Sequence, residues 1–143
     1  MKKFISCLTV ILVLLSFAAC QNTGKTEYVA VEVGKSAKFS EAEINNAIKQ
    51  IKVKFKDFKG CTLKKLWYDE DTSNSMIDGY LKNGKGSVNG AKAENVIILL
   101  SDFDVDSSGG DGSLEPNSTY SSWNWILIRD SETGSWIVDD WGY

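Results

Sequence analysis

The 143-residue chain contains no histidine. That removes the commonest general base, the Ser-His and Cys-His nucleophile pairs and every histidine-containing zinc site, so few enzyme mechanisms remain. Cysteine is almost as scarce, with only Cys7, Cys20 and Cys61. Cys7 lies inside an N-terminal apolar run and Cys20 just beyond it, which leaves Cys61 alone in the body of the chain and excludes an intramolecular disulfide framework. Positive charge is not in excess: the formal net charge is -3, a balance that argues against nucleic acid as a partner. The apolar run, Phe4 to Phe17, is also short. A bilayer core needs about 20 residues of helix, so this run reads as the h-region of a cleaved export signal, with Lys2 and Lys3 as its charged n-region.

The residues that follow sharpen this reading. Leu15-Ser16-Phe17-Ala18-Ala19-Cys20 resembles a lipobox, with Phe17 where that motif usually carries Leu. The resemblance implies a signal peptide over residues 1–19, cleavage before Cys20 and a diacylglycerol on the Cys20 thiol. An ordinary secretory signal with a free Cys20 is the alternative. Two or more acyl chains anchor stably where one does not, so the mature chain would sit on the bilayer through Cys20, exported and attached to the cell membrane, with residues 20–27 as a tether. The remainder, residues 28–143, fits one domain. Loss of Lys2 and Lys3 takes the formal charge to about -5.

Within that domain, Tyr28 to Val33 alternates as a short strand. Ser40 then opens a helix: it is an N-cap with Glu43 at N3, a capping box, and Phe39 and Ile44 flank it as a hydrophobic staple. Ile44, Ile48, Ile51, Phe55 and Phe58 repeat at helical spacing, Lys49, Lys52, Lys56 and Lys59 fall mostly opposite, and Gly60 supplies the stop. Strands are expected over Cys61 to Tyr68, Asn95 to Phe103, Tyr120 to Arg129 and Ser135 to Trp141, with a polar stretch at Asp69 to Thr72 and a short helix over Ser75 to Lys82. The order predicts an α+β fold in which one long N-terminal helix packs on a curved antiparallel sheet.

Laid out in this way the chain resembles the cystatin-like and NTF2-like α+β group. The segments Phe58-Lys59-Gly60-Cys61-Thr62-Leu63, Trp67-Tyr68-Asp69-Glu70, Leu99-Leu100-Ser101-Asp102-Phe103 and Trp123 to Arg129 look like a module of small bacterial lipoproteins. The same module resembles the extracytoplasmic ends of membrane peptidase sensors of the β-lactam-receptor type. It implies an architecture and carries no catalytic residues to transfer.

Four features invite a functional reading. Counted from Asp104, oxygen-bearing side chains stand at positions one (Asp104), three (Asp106), five (Ser108) and twelve (Glu115), with Gly109 at six, as in a calcium loop. Against calcium, Asp111 replaces an apolar residue, the flanks read as strands and Pro116 bars an exiting helix, so a plain acidic loop is the competing reading. Trp67, Trp123 and Trp125 would line a ligand-binding face, or else fill the core of a thin sheet. Cys61 reads as a buried strand cysteine or as a lone reactive thiol. Asp69, Glu70 and Asp71, with Asp139 and Asp140, would support proton transfer only if burial raised one pKa.

These features together lead to a membrane-anchored, non-catalytic binding or sensing module that meets a peptide, a cell-wall fragment or a protein partner. A small NTF2-like enzyme using a buried carboxylate and a cystatin-like protease inhibitor are the alternatives.

Overall fold

The computed structural model describes residues 23–143. The signal peptide expected over residues 1–19 and the lipid-bearing Cys20 lie outside the described residues. The elements run β1 (Ala30–Val33), α1 (Glu41–Phe55), β2 (Cys61–Tyr68), α2 (Glu70–Asn83), a single helical turn α3 (Gly86–Asn89), a 3-10 turn (Ala93–Asn95), β3 (Val96–Val105), β4 (Thr119–Ile128) and β5 (Ile137–Gly142). One sheet holds all five strands in the order β1-β2-β3-β4-β5. β1 lies parallel to β2, and every other neighbour is antiparallel.

α1 starts where its capping box requires. The Ser40 hydroxyl accepts the Glu43 N–H at 3.3 Å, and the Glu43 carboxylate accepts the Ser40 N–H at 2.8 Å. Ile44, Ala47, Ile48, Ile51 and Phe55 form its buried stripe. The helix stops at Phe55, short of the expected run to Phe58, because the next bonds tighten to three-residue spacing. Asp57 N–H donates to Lys54 O and Phe58 N–H to Phe55 O. Gly60 then turns the chain at φ +69°, in close contact with the loop after β3, where a β-carbon would stand 2.6 Å from Asp106 Oδ1.

α2 begins five residues earlier than the expected Ser75. Asp69 is its N-cap, accepting the Thr72 N–H at 2.8 Å, and Glu70 and Asp71 occupy the dipole-favoured first turn. The stretch that reads as a polar loop is therefore the start of a helix of 14 residues.

The two helices cover opposite faces of the sheet. On one face Ile97, Leu99, Phe103, Trp125 and Leu127 pack with the α1 stripe. On the other, Val96 and Ile98 pack with Ile77 and Tyr80 of α2. Burial on both faces explains the unbroken apolar run of β3, whose alternate residues serve different layers. The expectation of one long N-terminal helix on a curved antiparallel sheet, cystatin-like or NTF2-like, is thus overturned. The sheet is mixed and α1 has 15 residues, of a length with α2, although the α+β class stands. Within the segment expected as a tether, Gly24 N–H donates to Lys56 O at 3.0 Å, and Lys25 bridges to Thr62.

Candidate functional site

Bulges in the sheet collect aromatic rings at one end of the α1 face. Ser121 and Ser122 stand opposite the single residue Asp102, whose carboxylate accepts the Ser122 N–H at 2.9 Å, and Ser122 takes φ +56°. The extra residue places Tyr120 and Trp123, three apart in sequence, on one face. In β5, Ile126 pairs with Asp140 and Leu127 with Val138, leaving Asp139 unopposed. Trp141 consequently turns toward the α1 side, its ring 6.2 Å from Phe58 and 6.4 Å from Trp125. Tyr143 extends the cluster, 5.2 Å from Trp123 and 6.1 Å from Tyr120.

Between these rings lies an open groove of about 350 Å³. Lys54, Asp57 and Phe58 at the end of α1 form one wall, and Gly110, Asp111, Ser113 and Leu114 form another, with Trp123 and Trp141 completing it. Lys54 Nζ pairs with Asp57 at 3.0 Å and sits 4.6 Å from the centre of the Trp141 ring, a cation over a π face. A second, shallower groove shares Lys54 and Asp57 and continues past Val53 and Ile137, so the trough follows the seam between α1 and the edge strand β5. Tyr143 is 77% exposed and Trp141 39%.

Trp123 is half-buried here, and its indole N–H is buried without a partner among the described residues. Two other tryptophans of this layer, Trp125 and Trp136, are satisfied. Trp125 Nε1 donates to Ser101 Oγ at 2.9 Å and Trp136 Nε1 to Glu43 O at 3.0 Å.

The expected ligand-binding trio is therefore not assembled. Trp125 is completely buried and belongs to the core. Trp67 stands on the opposite face from the groove, since its neighbours Leu66 and Tyr68 point into the α1 layer. Of the three only Trp123 lines the groove, where Trp141 and Phe58 join it and Tyr143 stands beside Trp123. Periodicity places Phe58 in the helix stripe, and nothing in the sequence signals the bulges that bring Trp141 beside it.

The expected calcium ligands do not converge. Asp104 is in β3, accepting from Thr119 Oγ1 at 2.8 Å, with Lys64 3.8 Å away. Asp106 accepts the Ser108 N–H at 2.8 Å, and Glu115 lies further along the loop. Asp106 and Ser108 do meet, the Ser108 hydroxyl donating to Asp106 Oδ1 at 2.5 Å, but among the described residues no three Asp, Glu or Cys side chains form a metal-ligand group, so Asp104, Asp106 and Glu115 do not make one. The reason is local. Gly109, Gly110, Asp111 and Gly112 all have positive φ, a left-handed run that closes the loop on itself through Leu114 N–H to Gly109 O at 2.9 Å.

The acidic pairs are similarly occupied. Asp69 is an exposed helix cap, its carboxyl held below the ordinary range by Thr72. Asp139 is half-buried and accepts the Tyr80 hydroxyl at 2.7 Å, while Lys85 lies 3.4 Å from Asp140. Burial and Asp139 push the Tyr80 hydroxyl up to about 12. None of the three is the deep carboxylate in apolar surroundings that a general base calls for. The Cys61 thiol is buried and pushed up to about 11 by that burial and by Asp106 and Asp111, which makes it inert at neutral pH.

Sequence reasoning overlooked one further constellation. Arg129 is nearly buried, donating from Nη1 to Glu43 Oε1 at 2.7 Å and from Nε to Asn95 Oδ1 at 3.3 Å. Its guanidinium lies 4.5 Å from the Trp136 ring and 5.5 Å from Phe39. This ties the N-terminal end of α1 to the end of β4, a structural clamp.

Among the described residues no helix is long and apolar enough to cross a membrane. Comparison with curated proteins and with solved structures gives no match. A family model described as a domain of unknown function, DUF4829, matches residues 28–142, and the chain belongs to that family.

Proposed function

We propose that this chain is an exported lipoprotein, held on the cell membrane by acyl chains on Cys20, whose folded domain is a non-catalytic binding or sensing module. The binding face is the trough between α1 and β5, with Trp123, Trp141 and Tyr143 as its contact surface. The observation that carries this reading is the exposure of Trp141 and Tyr143 beside an open groove of about 350 Å³, the lower end of the range for small-ligand sites. The unpartnered Trp123 indole N–H adds to it. An unmade buried hydrogen bond costs about 1–3 kcal/mol, a burden that Trp125 and Trp136 do not carry. Histidine is absent, the Cys61 thiol is buried, and the two carboxylates lining the groove, Asp57 beside Lys54 and Asp111 in the loop after β3, are both exposed rather than held in the apolar pocket a general base calls for.

The partner is a cell-wall fragment or a peptide, both of which offer flat or apolar surfaces to stacked rings. Trp141→Ala tests the assignment. By calorimetry, the variant is expected to lose at least about tenfold in affinity for solubilised cell-wall fragments, the value of one good aromatic contact. Its unfolding midpoint should stay close to that of the parent, because the ring is already partly in water. Unchanged affinity in a folded variant would remove Trp141 from the binding face.

A further inference from the structure

α1 has two flanks of opposite character, and the chain from Cys20 enters on one of them. Taking 100° per residue from the buried stripe, Asn46, Gln50, Lys54 and Asp57 fall on the flank beside β5. Those residues line the grooves there. Lys49, Lys52 and Lys56 fall on the other flank at spacings of three and four. Among the described residues none of these three lysines forms an ion pair, in contrast to Lys54, Lys64, Lys65, Lys82 and Lys85. The N-terminal segment docks at the end of this α1. Gly24 N–H donates to Lys56 O at 3.0 Å, and Gly24 lies so close to the Phe55 carbonyl that a β-carbon would clash with its oxygen. Lys25 follows, exposed, beside Thr62.

From Cys20 to Gly24 is four residues, a reach of at most about 14 Å when fully extended. Resting on the reading of Cys20 as the lipid anchor, we infer that the flank of α1 bearing Lys49, Lys52 and Lys56, with Lys25 beside the anchor, docks on the anionic headgroups of the bilayer. The docking orients the domain. The flank facing the lipid is basic and unpaired, whereas the trough with Trp123 and Trp141 lies on the opposite flank and is turned away from the membrane. Charge complementarity and the short tether carry this assignment together. The tether limits how far the domain can leave the surface, and each lysine near an anionic leaflet adds roughly fivefold to its residence there.

The test uses the full chain, expressed with its signal, purified after processing and reconstituted in vesicles. One set contains phosphatidylcholine alone and a second 30 mol% phosphatidylglycerol, about one anionic lipid in three, enough for a surface potential to act. Lysine acetylation by a water-soluble reagent is read residue by residue, with Lys82 and Lys92 as internal references and the mass of the Cys20 peptide recorded. On anionic vesicles the labelling of Lys49, Lys52 and Lys56 is expected to fall about threefold or more relative to Lys82, and to recover at about 0.5 M salt, where the Debye length is near 4 Å. The variant K49Q/K52Q/K56Q should label at Lys25 equally on both membranes. An acylated chain whose lysines label alike on the two membranes overturns the docking and leaves the anchor intact. So does protection that survives high salt. A Cys20 peptide without acyl mass overturns the anchor and the docking with it.

Discussion

Trp125→Ala is expected to remove about 3–5 kcal/mol of stability, the range for deleting a fully buried large aromatic side chain. The ring has no exposed surface, and its centre lies 5.3 Å from Phe58 and 6.2 Å from Phe55. Removing it hollows the layer between the sheet and α1, and it also strands the buried Ser101 hydroxyl that its indole N–H serves. Domains of this size are stable by roughly 5–15 kcal/mol, so the variant would be marginal. Trp67→Ala should cost on the order of 1 kcal/mol, since Trp67 is half-buried on the other face with Lys65 over its ring at 5.0 Å. Urea unfolding followed by circular dichroism distinguishes the two. Equal losses at both positions would contradict the placement of one as core and the other as surface.

Glu43→Gln is the second large effect. Gln preserves the capping box but leaves Arg129, whose side chain is 5% exposed, without its counter-charge. Breaking one side of a buried ion pair costs about 3–5 kcal/mol, and the lower end applies because the Glu43 side chain keeps about a third of its surface in water. The same pair sets an acid limit. Hydrogen bonds from Ser40 first, and then the Arg129 guanidinium, hold the Glu43 carboxyl down at about 2. A carboxyl whose folded pKa lies below its unfolded value stabilises the fold above the ordinary range near 4.5 and loses that contribution as pH falls toward 2. The parent should lose stability through that window more steeply than Glu43→Gln, which has no group titrating at this position. Parallel acid-unfolding curves for parent and variant would rule out the pair as the source.

Much of the fold was legible because its signals are local. Ser40 and Glu43 mark the start of α1 within four residues, and Cys61–Tyr68 is a strand at the bounds its β-formers suggest. What escaped was non-local or exceptional. The four exposed residues of β1 carry no pattern that names a partner, so the parallel pairing with β2 had no sequence signature. α2 was cut short because its first turn is polar, and only the Asp69 cap could have announced it. Asp104 to Glu115 has the spacing of a calcium loop, yet spacing does not specify backbone hand, and four consecutive positive φ angles direct the oxygens elsewhere. The trough depends on bulges at Ser122 and Asp139, each a one-residue insertion that leaves the neighbouring alternation readable and changes which rings meet.

The claim that the trough between α1 and β5 is the binding face is tested most directly by the tryptophan indole N–H signals of the folded domain. The sequence has five tryptophans, so five nitrogen-correlated NMR signals report the two faces, the core and the trough separately. On addition of solubilised cell-wall fragments, and separately of an extended apolar peptide, the signals of Trp123 and Trp141 are expected to move saturably with one of the two. Those of Trp67, Trp125 and Trp136 should hold still. Movement confined to Trp67, or no movement at any of the five up to about 1 mM, an affinity worth only about 4 kcal/mol, would contradict it.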